Sequence, residues 1–241
     1  MKNFLAPILT GTILVVSGCA QTNGSLYQYP FNSAKIVYSI NGTTEGTSTL
    51  TIKGDKSIRE SHIIFHKPTG DEKQDNLYID DGKNVYSVDL AKKVGAMTPN
   101  PLYNILTAVD PSMRQDTLTK LAVGMSPDQA ATQQSQTLGK ETVAGQECID
   151  YDTGGFGQMC LWNSIPLKTN ISIPDLGLTN NTIATSIQTN VDVADNAFDV
   201  PADITMQQVG ATGATTQQEN SSAQLTVGTM ETTQQSGQTQ Q

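Results

Sequence analysis

The chain has 241 residues, with 14 basic against 23 acidic side chains, a net charge of −9 and a pI near 4.5. It has no basic stripe to neutralise a phosphate backbone, which excludes nucleic acid as a partner, and anionic headgroups are not drawn to it over distance. Charge alone leaves apolar ligands, membranes and other proteins open.

The N-terminus reads as an export signal over residues 1–18. Lys2 supplies the positive start and Phe4 to Val16 is mostly apolar, too short and too interrupted by Pro7 and Gly11 for a spanning helix. It ends Val16-Ser17-Gly18-Cys19. That tetrapeptide resembles the lipobox of bacterial lipoproteins. The resemblance implies cleavage before Cys19, a diacylglyceryl thioether on its sulfur and acylation (palmitate) of the new amino terminus. Ala20 follows where an Asp would imply inner-membrane retention, so the expected location is the outer membrane, facing the periplasm. The alternative is an ordinary secreted protein in which Cys19 carries no lipid.

Residues 19–33 are polar, with Tyr27, Tyr29 and Phe31 as their aromatics, and read as a tether. From Gln207 to Gln241 the composition shifts to Gln, Thr, Ser, Gly and Ala, with too little apolar surface to offset the cost of ordering, so a disordered tail is expected. A short docking segment around Leu225-Thr226-Val227 is the alternative there. Residues 34–206 remain as one domain, about 170 residues and large enough for a core.

Within the domain, Ala34 to Ile40 alternates, Asn41-Gly42 signals a hairpin, and Thr47 to Lys53 alternates again. Gly54-Asp55 turns the chain into a third strand at Ile58 to Phe65. Pro68 to Asp75 reads as a polar loop. Leu77 to Ile79 and Val85 to Leu90 are two further strands around Asp80-Asp81-Gly82, a turn. The period then changes. Leu102, Ile105, Leu106, Val109, Met113, Leu118 and Leu121 recur at three and four residues, which is helical, and Asp110-Pro111-Ser112 divides the run in two. Ser126-Pro127 starts a third short turn. These helices either cover a core or form a lid over an apolar cavity.

The sheet resumes at Ser135. Gln146 to Asp152 and Gln158 to Trp162 form a hairpin about a glycine-rich centre, with Cys148 and Cys160 facing each other at a separation a disulfide can span. Export permits that bond, and neither C-x-x-C spacing nor histidine partners favour a redox or metal pair. Leu167 to Ile173 and Thr182 to Val191 follow, the latter with Ile183 and Ile187 on one face. Trp162 is core packing beside the disulfide, or part of a ligand wall.

The order of these elements is familiar. The matching residues are Glu141-Thr142-Val143-Ala144-Gly145, Cys148 and Tyr151, then Trp162 and Ile165-Pro166-Leu167-Lys168, then Phe198 and Val200-Pro201-Ala202-Asp203. Together they resemble the lipoprotein-carrier (Lol-type) half-barrel superfamily, and exported domains of unknown function that share its architecture. The resemblance implies an α+β, mainly β fold: a curved antiparallel sheet, an incomplete barrel, with a helical insert packed on its concave face. Members hold acyl chains or other hydrophobic ligands inside. The candidate lining is Ile36, Tyr38, Leu50, Ile52, Leu102, Leu106, Leu121, Trp162, Ile183 and Ile187.

Catalytic signatures are sparse. His62 and His66 on a strand lie about 13 Å apart, too far to chelate one metal. There is no G-x-S-x-G, H-E-x-x-H or phosphate loop. The expectation is a non-enzyme without cofactor or metal. Such a lipoprotein either binds a lipid, acyl chain or apolar peptide, or has a filled core and acts through an envelope protein partner.

Overall fold

The computed structural model describes residues 26–27, 29–67, 69–125, 136–153 and 157–208. The export signal, Cys19, the turn at Ser126-Pro127, the centre of the cysteine hairpin and the tail from Val209 lie outside these residues.

The described residues are mainly β, in one curved sheet of 12 strands that does not close. The first meander comprises β1 (Ser33–Gly42), β2 (Thr44–Lys53), β3 (Lys56–Lys67), β4 (Gly70–Asp80), β5 (Asn84–Asp89) and β6 (Val94–Pro99). Two helices follow, α1 (Pro101–Ala108) and α2 (Arg114–Ala122), with a 3₁₀ turn at Pro111–Met113 between them. The second meander comprises β7 (Thr137–Val143), β8 (Gln146–Asp152), β9 (Gly157–Trp162), β10 (Ile165–Ile173) and β11 (Leu178–Thr189), and β12 (Thr205–Gln208) ends the described chain. In space the order is β12-β6-β5-β4-β3-β2-β1-β11-β10-β9-β8-β7. Neighbours are antiparallel except β12, which runs parallel to β6.

The seam between the meanders is the pairing of β1 with β11, from Ala34 opposite Thr189 to Gly42 opposite Asn180. Only glycine fits at Gly42. Its φ is +126°, and a Cβ there would lie 2.0 Å from the carbonyl oxygen of Thr179.

Four departures from the sequence reading have physical causes. Residues 70–75, expected as loop, extend β4, because polar side chains pair across to β3: Lys67 with Glu72, and His62 with Asp75. β6 carried no alternation because Gly95 packs against Val88 and Met206. Gln207 and Gln208, placed at the start of the tail, are strand residues of β12, paired through their backbone with Ala96 and Met97.

The fourth concerns the expected tether. Leu26, Phe31 and Ser33 are buried, and Phe31 belongs to the main core with Ala34, Ile36, Tyr38, Leu50 and Ile52. Residues 26–27 and 29–33 are therefore part of the domain. Their apolar side chains alternate as Tyr27, Tyr29 and Phe31, so one edge of an otherwise polar segment can be buried.

A second cluster lies around Leu77, Ile79 and Val88, where Phe198, Val193, Val200 and Ile204 of the closing segment pack. The helices contribute Leu106 and Leu118 to a third cluster, completed by Leu26 of the N-terminal segment. The end of α2 leads into a fourth, where Val123 meets Tyr151 and Leu161 of β8 and β9.

Candidate functional site

The site begins with Asp55 and Asp80. Asp55 Oδ1 accepts the backbone N–H groups of Leu26, at 2.8 Å, and Tyr27, at 3.2 Å, and so holds the N-terminal segment in place. Asp80, the last residue of β4, accepts the Gly82 N–H at 2.8 Å, Asn100 Nδ2 at 3.0 Å from each carboxylate oxygen, and the Tyr27 hydroxyl at 3.4 Å. Asn100 Oδ1 in turn accepts the Leu102 N–H at 2.9 Å and caps α1. One buried asparagine thus joins the sheet, the helices and, through Asp80, the N-terminal segment.

Burial raises the Asp80 pKa above the ordinary carboxylate value, against the opposing pull of the Gly82 N–H, Asn100 and Tyr27. Burial also raises the Tyr27 hydroxyl, assisted by the negative charge of Asp80, and raises Tyr29 through desolvation first and Tyr27 second.

Beside this network lies an open cleft of about 250 Å³. Ile52, Leu102, Leu118 and Leu121 form its apolar wall. Asp55, Lys56, Asp80 and Ser164 are its polar groups, and Tyr27 and Tyr29 also line it. Ser164 is fixed by α2: its Oγ accepts Gln115 Nε2 at 2.6 Å and lies 2.7 Å from Thr119 Oγ1.

Of the ten residues expected to line a cavity, Ile52, Leu102 and Leu121 meet in this cleft. Ile36, Tyr38 and Leu50 lie in the main core, and Leu106 is fully buried between the helices and Leu26. The Tyr38 ring carries the Arg59 guanidinium at 4.9 Å from its centroid, and burial raises its hydroxyl while Arg59 opposes. Trp162 stacks on Phe31, with ring centroids 5.2 Å apart. Ile187 opposes Ile36, and an irregularity at Val37/Tyr38 places Ile183 opposite Ser39; both pack, partly buried, against the main core.

The cysteines are bonded, with Cα atoms 5.4 Å apart. The register differs from the expected face-to-face pairing: Cys160 lies opposite Asp150, and Cys148 reaches it diagonally. Pairing Ile149 with Leu161 and Tyr151 with Met159 sets that offset, burying Tyr151 and Leu161 together. Glu141 lies within 4.8 Å of both sulfurs, the one such group of potential metal ligands among the described residues, but the sulfurs are bonded to each other and Glu141 holds Lys168 Nζ at 2.7 Å. His62 and His66 both lie on β3, each between two carboxylates.

The aromatic row and the Asp80–Asn100 pair were not identified from sequence. The row had a signal, the two-residue spacing of Tyr27, Tyr29 and Phe31. The pair had none, being 20 residues apart on β4 and a helix cap. Asp81 behaves as a turn residue, accepting the N–H groups of Lys83 and Asn84 and the Tyr86 hydroxyl.

No protein-family model matches the sequence, and no match was found among curated proteins. Among solved structures, an uncharacterised conserved protein from Thermus thermophilus aligns at 12% identity and a TM-score of 0.44, over 74% of this chain and 91% of its own. MucB aligns at 14% identity and a TM-score of 0.32, over 71% of this chain. Pseudomonas aeruginosa MucB, solved with MucA, aligns at 12% identity and a TM-score of 0.33. This chain spans 58% of the length of the former and 56% of the latter structure. Among the described residues no helix is long and apolar enough to cross a membrane.

Proposed function

We propose that this chain is a non-catalytic envelope lipoprotein, anchored through Cys19 to the outer membrane, that binds a protein partner at the cleft between its helices and its N-terminal segment. The observation that carries the reading is the stacked row Tyr27–Tyr29–Phe31–Trp162, with successive ring centroids 5.8, 5.2 and 5.2 Å apart. The sheet's apolar interior is thereby occupied by the chain's own side chains. This cleft, at about 250 Å³, is below the ~300–1,000 Å³ of typical small-molecule sites. It suits one apolar side chain of a partner, seated against Leu102, Leu118 and Leu121, with Asp55 beside it for a donor. A net charge of −9 steers basic partners towards the domain.

The cleft's apolar wall also supports a second reading, in which the end of one acyl chain enters the same slot. Native mass spectrometry of the full mature protein, followed by lipid extraction, separates the two. Partner binding expects only the covalent acyl groups on Cys19, and an in-cell photo-crosslink from position 121 that a probe at position 66 does not give. Stoichiometric non-covalent lipid overturns partner binding in favour of the acyl slot.

A further inference from the structure

Leu26 fixes the N-terminal end of the described chain. Its N–H is held by Asp55, and its side chain is buried against Leu106 and Leu118. Cys19 lies seven positions earlier in the sequence. Seven residues reach at most about 25 Å when fully extended. A tether running to residue 33 would have allowed about 50 Å by the same measure.

That reach is short against the domain. A chain of this described length has a radius of gyration of roughly 16 Å and is about 40 Å across. A lipid on Cys19 therefore holds the bilayer close to the face around Leu26, and the far faces cannot turn towards it.

The face around Leu26 is the helical pair. On it Ile105 and Val109 are half-buried, Ala108 and Pro111 are exposed, and Met113 is 52% exposed. The charges of the pair balance: Asp110, tied to Ser112, and Arg114, whose Nε donates to the Leu106 carbonyl, with Asp116 paired to Lys120 at 2.8 Å. This small, nearly neutral apolar tip stands apart from the acidic balance of the whole chain, which would otherwise be repelled by anionic headgroups.

We infer that α1 and the turn after it rest on the surface of the bilayer that holds the Cys19 lipid, so that the cleft opens beside the membrane. This rests on acylation of Cys19, part of the function proposed above.

The test uses the full mature lipoprotein in nanodiscs of phosphatidylethanolamine and phosphatidylglycerol, with hydrogen exchange of residues 101–114 as the readout. Exchange there should be at least fivefold slower than in the unanchored Cys19→Ser protein. Inserting fifteen Gly/Ser residues after Ala20 should remove most of that protection, and so should Met113→Asp. Intact acyl mass at Cys19 with equal exchange in all these forms would overturn the inference while leaving the anchor standing. Absence of acyl mass at Cys19 would overturn the anchor itself, and the inference with it.

Discussion

Phe31 stacks on Trp162 at 5.2 Å between ring centroids, and this contact ties the segment before β1 to the end of β9. The two residues are far apart in sequence and belong to one core with the disulfide and with Ile36. The N-terminal segment is thus a structural part of the curved-sheet domain. Its cost of ordering is offset by burying three aromatic rings that would otherwise face water.

Phe31→Ala should therefore cost about 3–5 kcal/mol of stability, as for other buried phenylalanines. Trp162 is the single tryptophan of the chain, so its emission reports the change directly. Urea unfolding should show a lower midpoint, with native emission shifted to the red. An unchanged midpoint would return residues 26–33 to the role of tether.

The disulfide closes a loop with a sequence separation of 12. Chain entropy gives it about 3 kcal/mol of stabilisation. Replacing both cysteines by serine should lower stability by about that amount in urea unfolding. Both sulfurs are buried, so in the native protein dithiothreitol should reduce the bond only slowly, and quickly once urea is added. Fast reduction without urea would show that the hairpin opens locally.

Much of the sheet was legible because alternation is local. Ala34, Ile36 and Tyr38 announce β1, and the cysteine hairpin announces β8 and β9. The helical pair was legible through Leu102, Leu106, Leu118 and Leu121. The site was less so, because its contacts are made across the topology. Pairing β1 with β11 brings residues 34 and 189 together, and nothing near either residue encodes that choice. A single extra residue opposite Val37/Tyr38 then shifts the register between Ile187 and Ile183, which the regular spacing of the two does not announce. Polar strands such as residues 70–75 gave no apolar period because their pairs are ionic and exposed. Tyr27, Tyr29 and Phe31 were visible as aromatics but were outweighed by their polar neighbours.

Asn100 should be among the least replaceable polar residues. Its amide donates to both oxygens of Asp80 and its carbonyl caps α1. Asn100→Ala removes hydrogen bonds to a charged group, about 2–3 kcal/mol, and adds the loss of a cap. The pH dependence has a definite sign. The Asp80 pKa is raised in the folded state, so its contribution to stability is greatest below the unfolded carboxylate value and is lost as pH rises through the folded one. Losing Asn100 raises that pKa further, so the variant should lose more stability at pH 7 than at pH 4. Equal losses at both pH values would mean that the cap alone matters.

His62 and His66 provide a second pH probe of the same sign, on the exposed β3–β4 hairpin. Hydrogen bonding to Asp75, at 2.8 Å from Nδ1, raises the His62 pKa, with Glu60 adding to it, and Asp71 does the same for His66, with Glu45. For a histidine with a raised folded pKa the stabilisation is full below about 6.5, its unfolded value, and is lost as pH rises through the folded value. Both side chains are well exposed, so solvent and salt screen these pairs and global stability should barely register them. The imidazole resonances should. In an NMR titration both rings should retain their protons above the pH expected of a free histidine. Asp75→Asn should lower the His62 titration and leave His66 unmoved, whereas Asp71→Asn should do the reverse. Coupled movement of both would mean that the two histidines share one charge network along β3 rather than two separate carboxylate pairs.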